Sequence, residues 1–325
     1  MSQSVALGAG AEGYRKVSSP YGFSMYDVEA TAALEKASRA AQDILRLHGF
    51  ERIMPAMVDY PETFAEGTHS EMFSMKDNGG ERLALRNDIT SQVVKGYVRQ
   101  IESKAGHATR KFFYAAPVYK DVRKNYPLPR EIYQIGCEVV GSQADASLPD
   151  LVRISHQILT EVFQLKSAVA ISDVRLHNAF VALGGAEYLA AERRRDVPFF
   201  ADILTAKLGI AKADAQKLAV WFFYPAAVSE TPAVAALPGQ LRDLLFSIRA
   251  ETDKIIAPLA GAGVEAYWQP LAEPRSSYYT GVFFETYVPG FTEPLVRGGI
   301  YNDLVKRYAN IEAGACGFAL DLLSF

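Results

Sequence analysis

Two strand-like runs separated by a polar loop constrain the fold more than any other feature of this sequence. Residues 111–119 are rich in aromatic side chains, and residues 131–141 alternate between two kinds of side chain. The segment between them, residues 121–130, is polar and contains two prolines, which is typical of a loop. We therefore predict an antiparallel hairpin with a long tip.

The two faces of the run at 131–141 differ. Because side chains alternate along a strand, Tyr133, Ile135, Cys137 and Val139 share one face, which we interpret as a core face. The opposite face carries Gln134 and Glu138 on either side of a glycine.

This second face has two interpretations. Gly136 leaves room for a small polar ligand to lie against the backbone, and Glu138 would meet a cationic or N–H-bearing group of that ligand. The alternative is a solvent-exposed sheet face, on which Gln134 and Glu138 are ordinary residues.

Helices and strands do not alternate regularly along the rest of the chain. Periodicity predicts helices at about 27–48, 88–100 and 147–164, and strands at 50–55, 169–172, 282–288, 295–299 and 314–320. Residues 184–263 are rich in Ala, Leu and charged residues and are predicted to form several helices with no strong strand. This order favours an α+β fold with an antiparallel sheet flanked by helices. We divide the chain into a mobile leader (1–19), a core (20–183 and 264–325) and a helical insertion (184–263).

Composition excludes several classes of protein. The 34 Lys and Arg residues against 37 Asp and Glu residues give a net charge of −3, which argues against binding nucleic acid by bulk positive charge. No run of about 18 apolar residues predicts a membrane span. Cys137 and Cys316 lie in apolar runs and are predicted to be buried free thiols. Neither the cysteines nor the five histidines have the spacing of a metal site, so we expect no metal or cofactor and a cytoplasmic location.

Six segments, in this order, resemble class II aminoacyl-tRNA synthetases and histidyl-tRNA synthetase in particular. They are residues 49–55 (motif one), 85–90, 117–141 (motif two), 278–285 (Tyr-Tyr-Thr-Gly-Val-Phe-Phe-Glu), 298–302 (Gly-Gly-Ile-Tyr-Asn) and 317–320 (motif three). The resemblance covers about residues 20–325. It implies a class II synthetase-like sheet and a self-dimer formed through motif one.

The resemblance also implies a histidine pocket. Its residues are Asp88, Thr90, Lys120, Gln134, Glu138, Tyr278 and Tyr279. In this interpretation Asp88 and Thr90 hold the amino group, Gln134 lies alongside, Glu138 and Tyr279 contact the imidazole, and Tyr278 helps to close the site. From the residues alone, Asp88 is equally well a helix cap, and paired tyrosines are more often packing residues than ligand contacts.

Several positions depart from the synthetase pattern. Lys120 stands where motif two has an arginine that grips ATP, and a lysine lacks the planar fork of an arginine. Val122 and Ile132 replace an acidic residue and an adenine-stacking aromatic residue. In motif three Asp321 replaces a glycine, Leu323 a glutamate and Ser324 an arginine. Adenylation needs fixed cations around the reacting phosphate, and a serine supplies none. Arg275 is one position away from the synthetase arginine that precedes the paired tyrosines, so it is not assigned that role.

The chain ends at Phe325, inside motif three, so we expect no anticodon-binding domain. A synthetase-like body of this kind resembles the ATP phosphoribosyltransferase regulatory subunits. That resemblance implies a non-catalytic protein, without catalytic residues, that partners the short-form catalytic subunit in the first step of histidine biosynthesis. It further implies activation of that subunit and feedback by histidine. The alternatives are a minimal synthetase-like enzyme that activates an amino acid with ATP, and an amino-acid sensor with another partner.

Overall fold

The computed structural model describes residues 19–64, 72–102, 108–122, 129–142, 144–225, 234–311 and 313–322. The predicted leader, apart from its last residue, lies outside these ranges, as do Leu323 and Ser324. The helices are α1 Val28–Leu47, α2 Thr90–Glu102, α3 Leu148–Glu161, α4 Val174–Arg194, α5 Val197–Leu208, α6 Lys212–Phe223, α7 Gly239–Gly261 and α8 Asp303–Lys306. The strands are β1 Glu51–Arg52, β2 Val58–Asp59, β3 Ser74–Lys76, β4 Arg82–Leu85, β5 Arg110–Tyr119, β6 Glu131–Gly141, β7 Ala168–Asp173, β8 Glu265–Trp268, β9 Val282–Tyr287, β10 Val296–Ile300 and β11 Gly314–Asp321.

A large sheet with strand order β1-β5-β6-β11-β10-β9-β7-β8 forms the core of the described chain. The six central strands pair antiparallel, and β5 and β6 form the predicted hairpin, with Phe113 opposite Cys137. The α+β prediction is therefore confirmed. The sheet is nevertheless mixed, because the two outermost strands, β1 and β8, pair parallel with β5 and β7.

One face of the sheet is covered by α1, α3 and α7. Ile135, Cys137 and Val139 of β6 lie in this core, as predicted, together with Cys316 of β11. Both cysteines are buried free thiols. Burial of such apolar side chains is the main favourable contribution to folding.

The opposite face is covered only in part. Helices α2 and α8 pack over one end of it, so that Val94 of α2 and Val305 of α8 are buried against Phe112 and Val140. A small sheet of order β2-β4-β3, which sequence patterns did not predict, lies in the segment before α2. The other end of this face carries polar side chains.

A second apolar cluster lies among the helices between β7 and β8. Phe180, Tyr188, Phe200 and Phe222 form its aromatic centre, with ring centroids 5.2–6.0 Å apart. The helices between β7 and β8 agree with the helical pattern that the sequence predicts for this part of the chain. The proposed insertion boundaries at 184 and 263 remain a prediction.

No helix of the described residues is long and apolar enough to cross a membrane. The same residues contain no group of three or more His, Cys, Asp or Glu side chains arranged to hold a metal ion.

Candidate functional site

Glu138 lies at the centre of the partly covered sheet face and is only 1% exposed. Its Oε1 accepts hydrogen bonds from Thr90 Oγ1 at 2.7 Å and from the Tyr114 hydroxyl at 3.4 Å. Its Oε2 accepts a hydrogen bond from the Tyr301 hydroxyl. The interpretation of this face as an ordinary solvent-exposed surface is therefore wrong at Glu138.

Burial of Glu138 changes its acidity. Desolvation raises the pKa of this carboxyl to about 8, although hydrogen bonds from Tyr301 and Thr90 oppose the shift. The nearby charge of Asp88 adds to the rise in pKa. A carboxyl with a pKa near neutrality and three hydroxyl partners can exchange a proton with a ligand that titrates in the same range, such as an imidazole.

Space for the Glu138 side chain comes from a glycine on the neighbouring strand. Gly317 pairs with Glu138 across β6 and β11, and a Cβ at 317 would overlap the Glu138 carboxylate. The same Cβ would stand 2.6 Å from the Tyr301 hydroxyl oxygen. The position of Glu138 therefore requires a glycine at position 317, within motif three.

Gly136 does not have the role expected of it. A Cβ at 136 would lie against the Tyr114 phenol and 2.6 Å from the Phe318 carbonyl oxygen. The space above Gly136 is thus filled by Tyr114, and no ligand lies against this backbone position. A glycine within a strand also marks the close approach of a neighbouring part of the chain, here Phe318 and Tyr114.

Asp88 is confirmed as a helix cap. Its carboxylate accepts hydrogen bonds from the backbone N–H groups of Thr90 (3.2 Å) and Ser91 (2.9 Å) at the start of α2. Each carboxylate oxygen has a second lone pair, so the cap leaves room for a ligand donor. After desolvation, the Asp88 charge is the next cause of the raised pKa of Tyr278, so the two groups are close.

Three tyrosines form an aromatic wall beside Glu138. The Tyr278 ring lies 5.4 Å from both the Tyr279 and the Tyr301 rings, edge to face. Tyr279 stacks on Phe283 at 5.6 Å and is buried. These tyrosines pack against one another and also border the Glu138 carboxyl, so the packing and binding interpretations are compatible.

Gln134 lies in a separate polar group at the open end of the same face. Its Nε2 donates to Asp321 Oδ1 at 2.8 Å. Asp321 Oδ2 lies 3.7 Å from Arg297 Nη1, and Arg297 Nη2 lies 3.4 Å from Glu293 Oε2. Arg275 contacts the same Glu293 at 3.3 Å.

Lys120 is not brought into contact with Glu138 or Gln134. It follows β5, and its backbone N–H donates to the Arg130 carbonyl at 2.8 Å. Ile132, at the position of the synthetase's adenine-stacking residue, is buried in the apolar cluster under α2. The described hydrogen bonds to Glu138 come from Thr90, which was predicted, and from Tyr114 and Tyr301, which were not.

Arg86 is a buried arginine that sequence reasoning did not assign. Its Nε donates to the Pro117 carbonyl at 2.6 Å, and its Nη1 donates to the carbonyls of Pro55 (2.8 Å) and Ala56 (3.3 Å). Arg86 thus fixes the entry to α2 against the end of β5. Its partners are backbone carbonyls, so its role is to position Asp88.

The residues that the sequence missed are Tyr301 and Tyr114. Tyr301 belongs to the Gly-Gly-Ile-Tyr-Asn segment that carried the family resemblance, so this motif was the available signal. Tyr114 sits in an aromatic run where nothing distinguishes it from core residues. Its proximity to Glu138 arises only from strand pairing.

Comparisons with known proteins identify the family of this chain. A family model described as histidyl-tRNA synthetase matches residues 22–324. A protein of Ralstonia nicotianae named ATP phosphoribosyltransferase regulatory subunit is 30% identical over 311 residues, which cover 89% of this chain and 75% of the relative. A protein of Lactobacillus delbrueckii subsp. bulgaricus named histidine–tRNA ligase is 25% identical over 306 residues, covering 90% of this chain and 69% of the relative.

A solved structure shows the same fold. It comes from Bacillus halodurans C and is described as an ATP phosphoribosyltransferase regulatory subunit/histidyl-tRNA synthetase. It matches with a TM-score of 0.73 at 20% identity, covering 95% of this chain and 82% of that one. From the family match and the 30% identical relative, we conclude that this chain belongs to the histidyl-tRNA synthetase family, in the group of the ATP phosphoribosyltransferase regulatory subunits.

Proposed function

We propose that this protein is a non-catalytic regulatory subunit that activates a short-form ATP phosphoribosyltransferase and carries feedback by histidine. The observation that carries the proposal is the contrast between the two ends of one sheet face. The Glu138 end is a closed cage of hydroxyl and aromatic groups suited to an amino-acid side chain. At the other end Asp321 places a carboxylate beside Gln134, where the resemblance puts a glycine and a nucleotide.

The carboxylate of Asp321 disfavours a nucleotide. A triphosphate at that end would meet a negative charge, and removing a like-charge pair from water costs free energy. Lys120 keeps a positive charge at the motif-two position but lacks the bidentate geometry of an arginine. These features support a site for an amino acid without ATP.

Histidine is the ligand that we propose for the Glu138 end. An imidazole has two ring nitrogens that donate or accept according to tautomer. The Glu138 carboxyl, with a pKa of about 8, accepts from the ring or donates to it. Tyr279 and Tyr278 offer flat apolar surfaces to the ring.

An enzyme that activates an amino acid with ATP is the alternative. The observations in its favour are the charge of Lys120 and the relative named histidine–tRNA ligase. Exchange of pyrophosphate into ATP that depends on an amino acid would support this alternative. Its absence, together with activation of the partner, would support the regulatory subunit.

We also propose a self-dimer formed through the segment around motif one. Five large apolar side chains in this part of the sequence are exposed: Met25, Val28, Leu47, Met54 and Met57. A second copy of the chain would remove this surface from water. Met54→Glu should shift the molecular mass measured by light scattering towards the monomer, whereas Phe246→Glu, at an exposed position on α7, should not. Equal effects of the two changes would contradict the dimer.

The central test mixes this protein with a short-form ATP phosphoribosyltransferase catalytic subunit. Co-purification, and turnover that rises and saturates with added subunit, are the expected results. Addition of histidine should then lower that turnover. A turnover that stays flat across the titration would contradict the proposal. The role as partner of a soluble biosynthetic enzyme also motivates the proposed cytoplasmic location, and the net charge of −3 supports a role without nucleic acid.

A further inference from the structure

The helix α4 is interrupted near its middle by two glycines, Gly184 and Gly185. Gly185 has φ 52° and ψ −131°, which lie outside the helical region, so α4 consists of two halves that join at this residue. A positive φ is open to glycine at little steric cost. The second half packs with α5, since the Tyr188 ring lies 5.7 Å from the Phe200 ring. Because a hinge absorbs its motion at a few residues, a change of φ and ψ at Gly185 would redirect this second half.

A buried hydrogen-bonded group joins the two halves of α4 across this kink. His177 in the first half places its Nδ1 atom 3.1 Å from the side chain of Glu192 in the second half. The Tyr188 hydroxyl donates to the same Glu192 side chain at 2.9 Å. All three residues are buried. A buried carboxyl group is costly without hydrogen-bond partners, so the contact with His177 favours the arrangement of the two halves that the structure has.

The first half of α4 is held against the large sheet. The Val174 backbone N–H donates to the Gly281 carbonyl at 3.1 Å. Asp173, whose side chain is fully buried, caps the helix by accepting from the Arg175 backbone N–H at 2.8 Å. The Val174 side chain is buried in the same apolar cluster as Tyr279. The first half therefore moves with the sheet and the pocket, and Gly185 separates it from the second half.

The segment between β8 and β9 connects the second half of α4 to the tyrosines beside the pocket. Leu271 is buried in the apolar cluster among the helices, whereas its neighbour Ala272 lies in the cluster that contains Tyr279. Glu273 follows, and Arg193 of the second half of α4 donates to both of its carboxylate oxygens at 2.8–3.2 Å. Pairs with this bidentate geometry are specific in direction as well as in charge. The position of Glu273 therefore links Tyr279 to the second half of α4.

We propose that the Arg193–Glu273 pair is a latch that couples occupation of the pocket to closure of the second half of α4. The structure has the closed arrangement; rotation at Gly185 gives an open one, in which Arg193 and Glu273 separate. A ligand that orders Tyr278 keeps Glu273 in place and so binds the closed arrangement more tightly. Only such a difference in affinity shifts an equilibrium between two arrangements. This inference rests on the proposed histidine site and adds a route by which its occupation reaches α5 and α6.

Hydrogen–deuterium exchange of the full chain tests the latch. Mass spectrometry follows peptides that cover residues 186–194, with and without saturating L-histidine. In wild-type protein L-histidine should slow their exchange at least about fivefold, the lower end of typical coupling between two sites. In Glu273→Gln the slowing should fall below about twofold, and the dissociation constant of histidine should change less than about fivefold, because coupling is reciprocal. Exchange of the two charges, Arg193→Glu with Glu273→Arg, should restore the slowing.

Asp253→Asn is the matched control, because Asp253 is the acid of a half-exposed ion pair with Arg249 on α7. It should leave the slowing by L-histidine unchanged. Equal slowing in wild type and Glu273→Gln would overturn the latch. Histidine binding in calorimetry without any slowing in wild type would also overturn it, and both results would leave the proposed function standing. Absence of histidine binding would overturn the pocket and the latch together, whereas activation of the catalytic subunit without histidine judges the regulatory role separately.

Discussion

The carboxylate of Glu138 occupies the volume that a side chain at position 317 would fill. Glu138 and Gly317 are paired across β6 and β11, and the Tyr301 hydroxyl reaches the same carboxylate over the glycine. The most buried acid of the candidate site and a glycine of motif three thus depend on each other. Neither can be changed in size without moving the other.

Gly317→Ala should therefore destabilise the protein. The added methyl group would overlap the Glu138 carboxylate and stand 2.6 Å from the Tyr301 oxygen. Overpacking of this kind typically costs about 1–3 kcal/mol. Urea unfolding followed by circular dichroism measures the change. Gly281→Ala is the control, because a Cβ there would make only ordinary contacts with Ile300 at 3.8 Å. Equal stability of the two variants would show that the carboxylate has room to move.

Glu138→Gln should change how stability depends on pH. The pKa of Glu138 rises on folding from its ordinary 4.5 to about 8. Between these values the folded state keeps a proton that the unfolded state has lost, so the contribution of Glu138 to stability falls as the pH rises from about 4.5 to about 8. Above pH 8 this contribution is constant. A glutamine has no such proton to lose.

The free energy of unfolding of Glu138→Gln should therefore increase relative to that of wild type as the pH rises from 5 to 8. The increase should be at most about 1.4 kcal/mol per pH unit, and the difference should then level off. Unfolding at pH 5, 6, 7, 8 and 9 measures this difference. Glu265→Gln, at an exposed position on β8, controls for loss of a negative charge. A difference that is constant across the pH range would mean that Glu138 is not desolvated.

The sequence predicts the central hairpin well because the alternate positions of β6 from Tyr133 to Val139 are all apolar. One face of β6 is apolar and lies in the core with Cys137, whereas the other carries Gln134 and Glu138. Such a pattern is local and can be read without knowing the partner strands. The parallel edge strand β8 was missed because it has only four residues and its pairing with β7 depends on a long connection.

Most of the candidate site depends on contacts between distant parts of the chain. Tyr301 and Gly317 lie beside Glu138 only because β11 pairs with β6 and with β10. The same pairing brings Asp321 to Gln134. Local periodicity contains no information on strand order, so these partners needed the structure. Gly136 was misinterpreted for the same reason, since Tyr114 comes from the neighbouring strand.

Glu138→Ala should weaken binding of histidine. It removes the carboxyl that we propose as the imidazole partner, and a hydrogen bond to a charged group contributes about 1.5–3 kcal/mol. The dissociation constant measured by calorimetry should rise at least tenfold, since about 1.4 kcal/mol corresponds to a factor of ten. Glu131→Ala, on the opposite face of the same strand, should leave it unchanged. Equal affinity of Glu138→Ala and wild type would contradict the proposed pocket.

Arg175→Met should strongly destabilise the junction between the sheet and the helices that follow β7. Arg175 donates to Asp173 at 2.9 and 2.6 Å and to Glu251 of α7 at 2.5 Å. The Asp173 side chain is fully buried, so loss of the guanidinium leaves a buried charge without its counterion. Removal of one partner from a buried pair costs about 3–5 kcal/mol. We expect about 3 kcal/mol, because Arg175 is partly exposed and the Arg175 backbone N–H still donates to Asp173.

Arg39→Met is the control for Arg175→Met, because it removes an arginine from an exposed ion pair. Arg39 forms an exposed i,i+4 pair with Glu35 on α1, and such pairs contribute about 0.3–0.5 kcal/mol.

The ion pair with Arg175 also lowers the pKa of Glu251. The stability that this ion pair contributes is therefore present above the pKa of Glu251 in the unfolded chain and is lost as the pH falls. The cost of Arg175→Met should consequently shrink between pH 7 and pH 4. Urea unfolding of both variants at the two pH values measures this, and a cost for Arg175→Met no larger than that of Arg39→Met would contradict the structural role of the Asp173–Arg175–Glu251 network.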